Sequence, residues 1–248
     1  MFDVERREQI LEVLREEKSC SVKRLAKLLN FSEATIRRDL NALDAEMKIK
    51  KTFGGAVIRE DFNDEVPISL RKAENADLKR ALAREASKLI KNNYTIFLAS
   101  SSTVEQIVPY LSIFSGLTVI TNSPDIPKML ANTNIKVYST GGRYLHHSNS
   151  YVGEYAREMI ANINADLVIF SARGVSADGK VTNSSTEDDV TRTMIKNSKR
   201  ACLIVTGDKV GEAYPFTVCH VKELDIIISD KRFVDDDYKG EFILLNHK

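Results

Sequence analysis

Residues 21 to 45, SVKRLAKLLNFSEATIRRDLNALDA, contain two short amphipathic helix patterns that meet at a polar turn. Apolar residues recur at helical spacing in both patterns: Val22, Leu25, Leu28 and Leu29 in the first, and Ile36, Leu40 and Leu43 in the second. Each helix therefore has one face to bury. A preceding pattern with Ile10, Leu11 and Leu14 predicts a third helix that covers the other two, so this region is expected to form a three-helix core.

The start of the second helix is well specified. Ser32 is a favourable N-cap residue, and Phe31 and Ile36 stand where a hydrophobic staple packs. Glu33 places a negative charge at the positive end of the helix dipole. These signals predict a helix that begins immediately after Ser32.

The face of this helix opposite Ile36 carries small, basic and amide side chains. With about 100° per residue, that face contains Ala34, Arg37, Arg38 and Asn41, with Thr35 at its edge. Such side chains suit the major groove of DNA. The expected DNA contacts are Ser32, Ala34, Thr35, Arg37, Arg38, Asn41 and, from the segment that follows, Lys51. The alternative is a solvated helix face, which is the usual fate of surface charge.

The segment MKIKKTFGGAVI, residues 47 to 58, has two short β-like runs around Gly54 and Gly55. A glycine pair permits the positive backbone angles of a tight hairpin. We therefore predict a winged helix-turn-helix in which basic residues on or beside the wing pair with DNA phosphates: Lys48, Lys50, Lys51 and Arg59. The segment from Lys18 to Arg59 has ten basic and four acidic residues, whereas the whole chain has a net charge of only +1.

The 248 residues and 43% hydrophobic content suit a small domain followed by a larger one. The predicted boundaries are residues 1–58 for the winged helix-turn-helix domain, 59–72 for a polar, acidic linker that contains Pro67, and 73–248 for an α/β domain. A helix from about Ala73 to Lys91 is expected to open that domain. Six short apolar runs follow, namely TIFLA, LTVIT, KVYS, DLVIF, ACLIV and DIIIS. Near-continuous apolar strands are typical of a mostly parallel sheet covered on both faces.

Ligands of open α/β sheets bind at the carboxyl ends of the strands. The residues there are chemically alike: Ser100, Ser101, Ser102 and Thr103 after the first run, Thr121 and Asn122 after the second, and Gly141 and Gly142 after the third. Hydroxyls and free amides at helix starts favour an anion, and glycines allow close approach of the backbone. Together they indicate a phosphate-bearing or polyhydroxylated small molecule, although helix capping alone explains any single turn. Glu187 and Lys209 are candidates for the polar end of the pocket, with a surface ion pair as the alternative.

The chain resembles the DeoR-type bacterial transcriptional regulators through TIRRDLNAL at 35–43 and FGGA at 53–56. The resemblance continues at these positions: Arg71, Asn75, Lys79, residues 101–103, residues 121–123, Gly141, Gly142, Glu187 and Lys209. It implies a repressor, or less often an activator, of carbohydrate metabolism. It also implies a carboxy-terminal domain that is related to ribose-phosphate isomerases and senses a sugar phosphate.

Several residues depart from the family pattern. Ala99 and Ser101 replace a carboxylate and a glycine, Ser171 and Arg173 stand where Gly and Asp are common, and Thr206 replaces an Asp. Fewer acids and an added arginine suggest a more anionic effector, such as a bisphosphate or a sugar-acid phosphate, because arginine binds such groups bidentately. Arg173 therefore joins the expected effector-binding residues.

The amino-terminal residues lack an apolar signal core, and no span approaches the roughly twenty apolar residues that cross a bilayer. Cys20, Cys202 and Cys219 are widely spaced, so we expect reduced packing residues in a cytoplasmic protein. The pair His146 and His147 lacks an obvious third ligand, and we expect neither a metal site nor a cofactor.

We therefore expect a homo-oligomeric, effector-controlled regulator bound to double-stranded operator DNA. Two rival functions remain at this point. A phosphosugar isomerase fused to a DNA-binding module would recruit Glu187, Asp188 or Lys209 as catalytic groups, but it would lack the carboxylate expected after the first strand. A ligand-independent architectural DNA-binding protein is the second rival.

Overall fold

The computed structural model describes residues 3–45, 48–58, 68–146, 148–185, 189–235 and 237–245. The chain divides into two compact units, Met1–Glu74 and Asn75–Lys248. Of the predicted linker, residues 59–67 lie outside the described residues, and the rest is helical. In the described part of the chain, no helix has the length and apolarity needed to cross a membrane.

The described part of the first unit contains four helices and a small antiparallel sheet. Its elements are α1 (Asp3–Glu17), β1 (Ser19–Ser21), α2 (Val22–Leu29), α3 (Glu33–Ala45), β2 (Ile49–Thr52), β3 (Gly55–Ile58) and α4 (Ile68–Ala73). The predicted three-helix core is confirmed, because the apolar positions of α1, α2 and α3 form one buried cluster with the strands. Asn30, in the left-handed conformation, ends α2 and allows the tight turn into α3.

The predicted hairpin is present, but the reason given for its glycines is wrong. Gly55 pairs with Thr52, so Phe53 and Gly54 form the turn, and neither glycine has a positive φ. Gly55 is required for a different reason: a Cβ there would lie 2.0 Å from the carbonyl oxygen of Cys20 in β1. The sequence did not predict β1, which pairs antiparallel with β3 and completes the sheet order β1-β3-β2.

The second unit is built on a seven-stranded parallel sheet with the order β15-β14-β12-β9-β4-β5-β6. These strands are β4 (Thr95–Leu98), β5 (Thr118–Thr121), β6 (Lys136–Ser139), β9 (Leu167–Phe170), β12 (Ala201–Ile204), β14 (Ile226–Ser229) and β15 (Glu241–Leu244). The six predicted strands are confirmed, and β15 is an additional edge strand. Phe97 and Phe170 face one apolar cluster, whereas Ile96, Leu98 and Ile169 face a second, so both faces of the sheet are covered.

Helices and two smaller sheets surround this sheet. The helices are α5 (Ala76–Ser87), a 3-10 helix (Val104–Ile113), α6 (Asp125–Leu130), α7 (Glu154–Ala161), α8 (Asp189–Lys196) and the short 3-10 segments Gly207–Lys209 and Val221–Glu223. The smaller sheets contain β7 (Arg143–Leu145) with β8 (Ser150–Val152), and β10 (Gly174–Val175), β11 (Lys180–Asn183) and β13 (Phe216–His220).

The long helix predicted from Ala73 to Lys91 is shorter than expected. Asn75 adopts a left-handed conformation with φ 50°, and α5 begins only after it. Its amphipathic face buries Leu82, Ala83 and Ala86 against the sheet. A left-handed residue interrupts the helical hydrogen-bond ladder, which the apolar spacing alone does not reveal.

Candidate DNA-binding surface and effector site

The outward face of α3 has the composition expected of a DNA-reading helix. Ile36, Leu40 and Leu43 are buried in the core. The predicted contact residues Ser32, Ala34, Arg37, Arg38, Asn41 and Lys51 are exposed, and Thr35 is half-buried. Arg37 pairs with Glu33 at 3.5 Å along the helix. Within the described residues Arg38 has no ion-pair partner, so its guanidinium group is available to a ligand.

Ser32 caps α3 as the sequence predicts. Its Oγ accepts a hydrogen bond from the Thr35 amide at 3.1 Å and lies 2.8 Å from Thr35 Oγ1. Phe31, the other member of the predicted staple, packs against the core beneath the guanidinium group of Arg6, whose carbon lies 5.1 Å from the ring centroid. The capped end of α3 is therefore fixed by both polar and apolar contacts.

A buried ion pair that the sequence analysis missed connects α1 to α3. Asp39 is 1% exposed, and its carboxylate accepts hydrogen bonds from Arg6 Nε at 2.5 Å and Arg6 Nη2 at 3.0 Å. Arg7 Nε lies 3.6 Å from the same carboxylate. The available signal was the position of Asp39, three residues after Ile36 on the inward face of the helix. This ion pair joins the inward face of α3 to α1 and adds a polar contact to the apolar residues that orient the helix.

The wing is joined to α3 by polar contacts. Lys51 Nζ donates a hydrogen bond to Asn41 Oδ1, and the main-chain amide of Lys51 donates to Asp44 Oδ1 at 3.2 Å. Two of the predicted DNA contacts, Asn41 and Lys51, are thus partners of each other. The recognition helix and the wing form one continuous surface.

In the second unit, the strand order reverses direction between β4 and β9. Later strands extend the sheet from β9 on one side, whereas β5 and β6 extend it from β4 on the other. Loops after adjacent strands diverge at such a point and leave a crevice at the carboxyl ends. Ser100 to Thr103 follow β4, and Arg173 follows β9, so the topology brings these predicted residues to the same edge of the sheet.

The loops after β4 and β5 are tied together by side chains that the sequence suggested as ligands. Asn122 Oδ1 accepts from the Ser100 amide at 2.8 Å. Thr121 Oγ1 donates to the Leu98 carbonyl at 2.7 Å and accepts from the Ser123 amide at 3.0 Å. Both residues are buried. Their polar groups therefore hold the framework of the edge together.

Two of the main-chain amides at the start of the helix after β4, which the sequence predicts to be free, donate hydrogen bonds within the protein. Ser101 Oγ accepts from the Thr103 amide at 3.1 Å and lies 3.5 Å from the Val104 amide. The Ser101 carbonyl accepts from the Glu105 amide at 3.0 Å. The element that follows is a 3-10 helix, and Ser102 and Thr103 are buried at its start. The Thr103 and Glu105 amides are therefore satisfied within the protein, and anion binding at this turn stays a prediction.

The hairpin of β7 and β8 joins the same edge, which the sequence did not predict. Asn122 exchanges two hydrogen bonds with the main chain of Tyr151, and Ser100 Oγ donates to the Asn149 carbonyl at 2.9 Å. Gly141 and Gly142 lead into this hairpin with φ of 60° and 107°. A Cβ at Gly142 would lie 2.6 Å from the Val152 carbonyl oxygen. A Cβ at Gly141 would have no neighbouring atom within 4 Å. Gly142 thus permits close packing of the backbone, and Gly141 lies in an open turn.

The two predicted cations stand on loops after adjacent strands. The Arg173 guanidinium carbon lies 5.4 Å from the Tyr214 ring centroid, and its main-chain amide donates to Asn183 Oδ1 at 2.8 Å. Lys209 lies in the short 3-10 segment after β12, with its Nζ 2.8 Å from Asp208. Burial raises the pKa of Asp208, but hydrogen bonds from Lys209 and Thr206 outweigh this and hold the pKa below its usual range. The predicted partner Glu187 lies outside the described residues.

The three cysteines are buried and form no disulfide. Burial raises the pKa of the Cys202 thiol far above its usual range and that of Cys219 to about 12. Both thiols are therefore protonated and weakly nucleophilic at neutral pH. The described residues contain no group of three His, Cys, Asp or Glu side chains that could hold a metal ion.

A winged helix-turn-helix with an exposed basic reading face, followed by an α/β unit with a braced crevice, defines a ligand-responsive DNA-binding regulator. Residues 6–62 match the DeoR-like helix-turn-helix domain, and residues 74–231 match the DeoR C terminal sensor domain. The chain belongs to the DeoR family of bacterial transcriptional regulators.

Relatives along nearly the whole chain are regulators rather than enzymes. The chain is 32% identical to the HTH-type transcriptional regulator GolR of Listeria innocua, over 96% of this chain and 95% of the relative. It is 28% identical to the transcriptional repressor AccR of Agrobacterium fabrum, over 91% and 89%. It is 27% identical to a lactose phosphotransferase system repressor of Staphylococcus aureus, over 96% and 95%. A ribose 5-phosphate isomerase A from Methanocaldococcus jannaschii aligns over 55% of each chain at 16% identity, with a TM-score of 0.41.

Proposed function

We propose that the protein represses a carbohydrate-metabolism operon and that a phosphorylated sugar or sugar acid controls its binding to operator DNA. The observation that carries this proposal is the rigid presentation of Arg37 and Arg38 on α3, because the Ser32 cap and the buried Asp39 fix the orientation of that helix. Relatives whose names include a lactose phosphotransferase system repressor and a putative aga operon repressor support the carbohydrate assignment. Since its target is chromosomal DNA, the protein acts in the bacterial cytoplasm.

The proposed DNA contacts divide into base-reading and phosphate-binding groups. Arg38, which is exposed and has no ion-pair partner within the described residues, is the proposed base reader, because arginine binds the major-groove edge of guanine bidentately. Ala34 and Thr35 are close enough to the capped end of α3 to contact base edges or methyl groups. Ser32, Arg37, Asn41 and Lys51 surround them and position the helix against the backbone.

The experiment compares the DNA binding of Arg38→Ala with that of Lys51→Ala, on duplexes that the full-length protein selects from a random pool. Arg38→Ala is expected to cost about 1–3 kcal/mol of binding free energy at one base position and to relax specificity there. Lys51→Ala is expected to weaken binding to all sequences alike and to lower the salt dependence. Equal losses for Arg38→Ala on selected and random duplexes would contradict base reading by Arg38.

The proposed effector site lies at the carboxyl ends of β4, β5, β6, β9 and β12. Arg173 and Lys209 supply positive charge for a phosphate or carboxylate. The hydroxyls of Ser100, Ser101, Ser102 and Thr103 and the open turn at Gly141 and Gly142 line the proposed site. Thr121 and Asn122 hold its loops in place, and Glu187 is retained as a proposed contact to a sugar hydroxyl.

A thermal-shift screen with sugar phosphates, sugar bisphosphates and sugar-acid phosphates tests this assignment. A ligand present at 100 times its dissociation constant stabilises the folded state by about 2.7 kcal/mol, which is easily detected. The stabilising compound should also change operator affinity, and Arg173→Met should abolish both effects. A hit that is unchanged by Arg173→Met would place the site elsewhere, and no hit across the panel would favour a ligand-independent DNA-binding protein.

We further propose a homo-oligomer that places two or more winged helices on repeated half-sites. Effector binding would then change their spacing or orientation, and a coupling of about 1–3 kcal/mol is typical of such control. Light scattering on the full-length protein, with and without the stabilising compound, tests this part. A monomer that binds a single half-site would contradict it.

A further inference from the structure

An aromatic ring restrains the arginine that follows β9. The Arg173 guanidinium carbon lies over the Tyr214 ring, 5.4 Å from its centroid, which is within the roughly 6 Å over which a cation–π interaction acts. Both residues are half-buried. A tyrosine ring carries no charge, so it holds an arginine side chain without neutralising it, whereas a carboxylate partner would neutralise it. The contact therefore restrains Arg173 while its positive charge is retained.

The main chains on both sides of this contact are joined through one buried threonine. The Arg173 amide donates to the Thr182 carbonyl at 3.2 Å and to Asn183 Oδ1 at 2.8 Å. Thr182 is 2% exposed. Its Oγ1 accepts from the Tyr214 amide at 3.0 Å and donates to the Gly174 carbonyl at 3.3 Å. The arginine and the tyrosine are therefore held at a fixed distance by backbone contacts as well as by their side chains.

The loop that supplies the aromatic ring also carries the second proposed cation. Residues 207–215 connect β12 to β13 and contain both Lys209 and Tyr214. A Cβ at Gly174 would lie 2.4 Å from a main-chain oxygen of this loop, so the loop packs backbone to backbone on β10. Gly174 directly follows Arg173 in the chain. The backbone therefore fixes where the two cations stand relative to each other, before any ligand binds.

We propose that Tyr214 is a positioning residue of the proposed effector site, and that the Arg173 guanidinium which it holds binds the second anionic group of a doubly anionic effector. This inference rests on the proposed effector function. Lys209 binds one anionic group and Arg173 the other, so the site selects a sugar-acid phosphate or a sugar bisphosphate over a sugar monophosphate. A long arginine side chain loses rotamer freedom when it binds a ligand, and this loss reduces affinity. The Tyr214 ring restricts Arg173 beforehand and so lowers that loss.

The test is calorimetric titration of the full-length protein with matched compounds that differ by one anionic group. The pairs are 6-phosphogluconate with glucose 6-phosphate, and fructose 1,6-bisphosphate with fructose 6-phosphate. The wild type should bind the doubly anionic member of a pair at least about 10-fold more tightly, which is the range of a hydrogen bond to a charged group. Tyr214→Leu should reduce this preference about 3- to 10-fold, the range for ordering one long side chain. The affinity for the singly anionic member should change little.

Three further variants separate positioning from damage to the fold. Tyr214→Phe keeps the ring face and should restore the preference. Arg173→Lys keeps the charge but loses the planar guanidinium, so it should lower the preference, and Tyr214→Leu should add little to its effect. Tyr94→Leu changes another half-buried tyrosine, which precedes β4 at the amino ends of the strands, and it should leave the preference unchanged. If Tyr214→Leu lowers the melting temperature of the free protein, Tyr214→Met replaces it in the test.

The outcomes distinguish failure of this inference from failure of the proposed function. The inference is wrong if the wild type binds a sugar monophosphate most tightly, or if Tyr214→Leu weakens both members of a pair equally. It is also wrong if Tyr214→Phe does not restore the preference. Each of these results leaves control by a phosphorylated compound in place. If the wild type binds neither these compounds nor any other compound of the thermal-shift panel, the proposed effector function fails and this inference fails with it.

Discussion

Removal of the Asp39 carboxylate measures how firmly α1 holds the recognition helix. The side chains of Arg6 and Asp39 are 6% and 1% exposed, and two hydrogen bonds of 2.5 and 3.0 Å join them. Asp39→Ala removes the carboxylate to which the buried Arg6 guanidinium donates both of these hydrogen bonds, and removal of one partner of a buried ion pair typically costs about 3–5 kcal/mol. At about 1.4 kcal/mol per factor of ten, local opening of α1 from α3 should increase by roughly 100-fold or more.

Hydrogen–deuterium exchange with mass spectrometry is the appropriate assay, because the chain has no Trp and the method resolves peptides of α1 and α3 from the rest. The matched control is Arg15→Ala, which breaks an exposed pair with Glu8 at 3.0 Å. Exposed pairs of this kind contribute only about 0–1 kcal/mol. The double variant Arg6→Met with Asp39→Leu should recover most of the protection, because an apolar pair of similar size replaces the ion pair.

The reasoning is refuted if Asp39→Ala and Arg15→Ala accelerate exchange in α1 and α3 to the same extent. Recovery in the double variant would show that burial of the Arg6 charge without the Asp39 carboxylate, rather than loss of a specific bond, causes the effect. Operator affinity should follow the same order, since a loosened α3 no longer presents Arg37 and Arg38 in a fixed orientation.

Three further predictions concern single contacts. Gly55→Ala should destabilise the first unit by about 1–3 kcal/mol, because the added Cβ overpacks against Cys20. Gly54→Ala is the control, since its added Cβ has no atom within 4 Å and should change the urea midpoint little. Equal effects of the two variants would contradict the explanation that Gly55 is needed for close approach to Cys20. The hydrogen bond from Lys199 and the one from the Thr95 amide hold the pKa of Asp166 below its usual range, so Asp166 stabilises the fold above about pH 4 and loses this contribution as the pH falls further. The difference in urea midpoint between wild type and Asp166→Asn should therefore be constant near neutral pH and vanish in acid, and a difference that grows in acid would be incompatible with this sign. Asn122→Ala should lower the melting temperature, because the Ser100 amide and the Tyr151 carbonyl each lose their bond to its side chain. The expected loss of stability is about 1–3 kcal/mol. Asn162→Ala, at an exposed asparagine, is the control, and an equal shift for that variant would argue against the bracing role of Asn122.

Much of the fold could be predicted because its signals are local. The strands of a buried parallel sheet are continuous apolar runs, so β4, β5, β6, β9, β12 and β14 are visible in the sequence. The start of α3 was predictable because Ser32 caps the helix to which it is adjacent. The exposed face of that helix followed from the helical period alone.

The remaining features depend on contacts between distant residues. Arg6 and Asp39 are 33 positions apart, and the residues around either one do not indicate that the two side chains pair. β1 has only three residues, and its pairing with β3 explains Gly55 through a neighbour that the local turn rules do not include. In the effector site, the hydroxyls and amides were visible in the sequence, but their mutual hydrogen bonds were not.

The bracing of three loops by Asn122 has a consequence for how this sensor can change its specificity. Its carboxamide oxygen holds the loop after β4, and its amide nitrogen and main chain hold the β7–β8 hairpin. A substitution in any one of these loops alters the support of the other two loops. The effect of that substitution on ligand specificity therefore depends on which residues the other two loops contain. New ligand preferences should therefore arise through sets of compensating changes, and single exchanges grafted from a relative should transfer poorly.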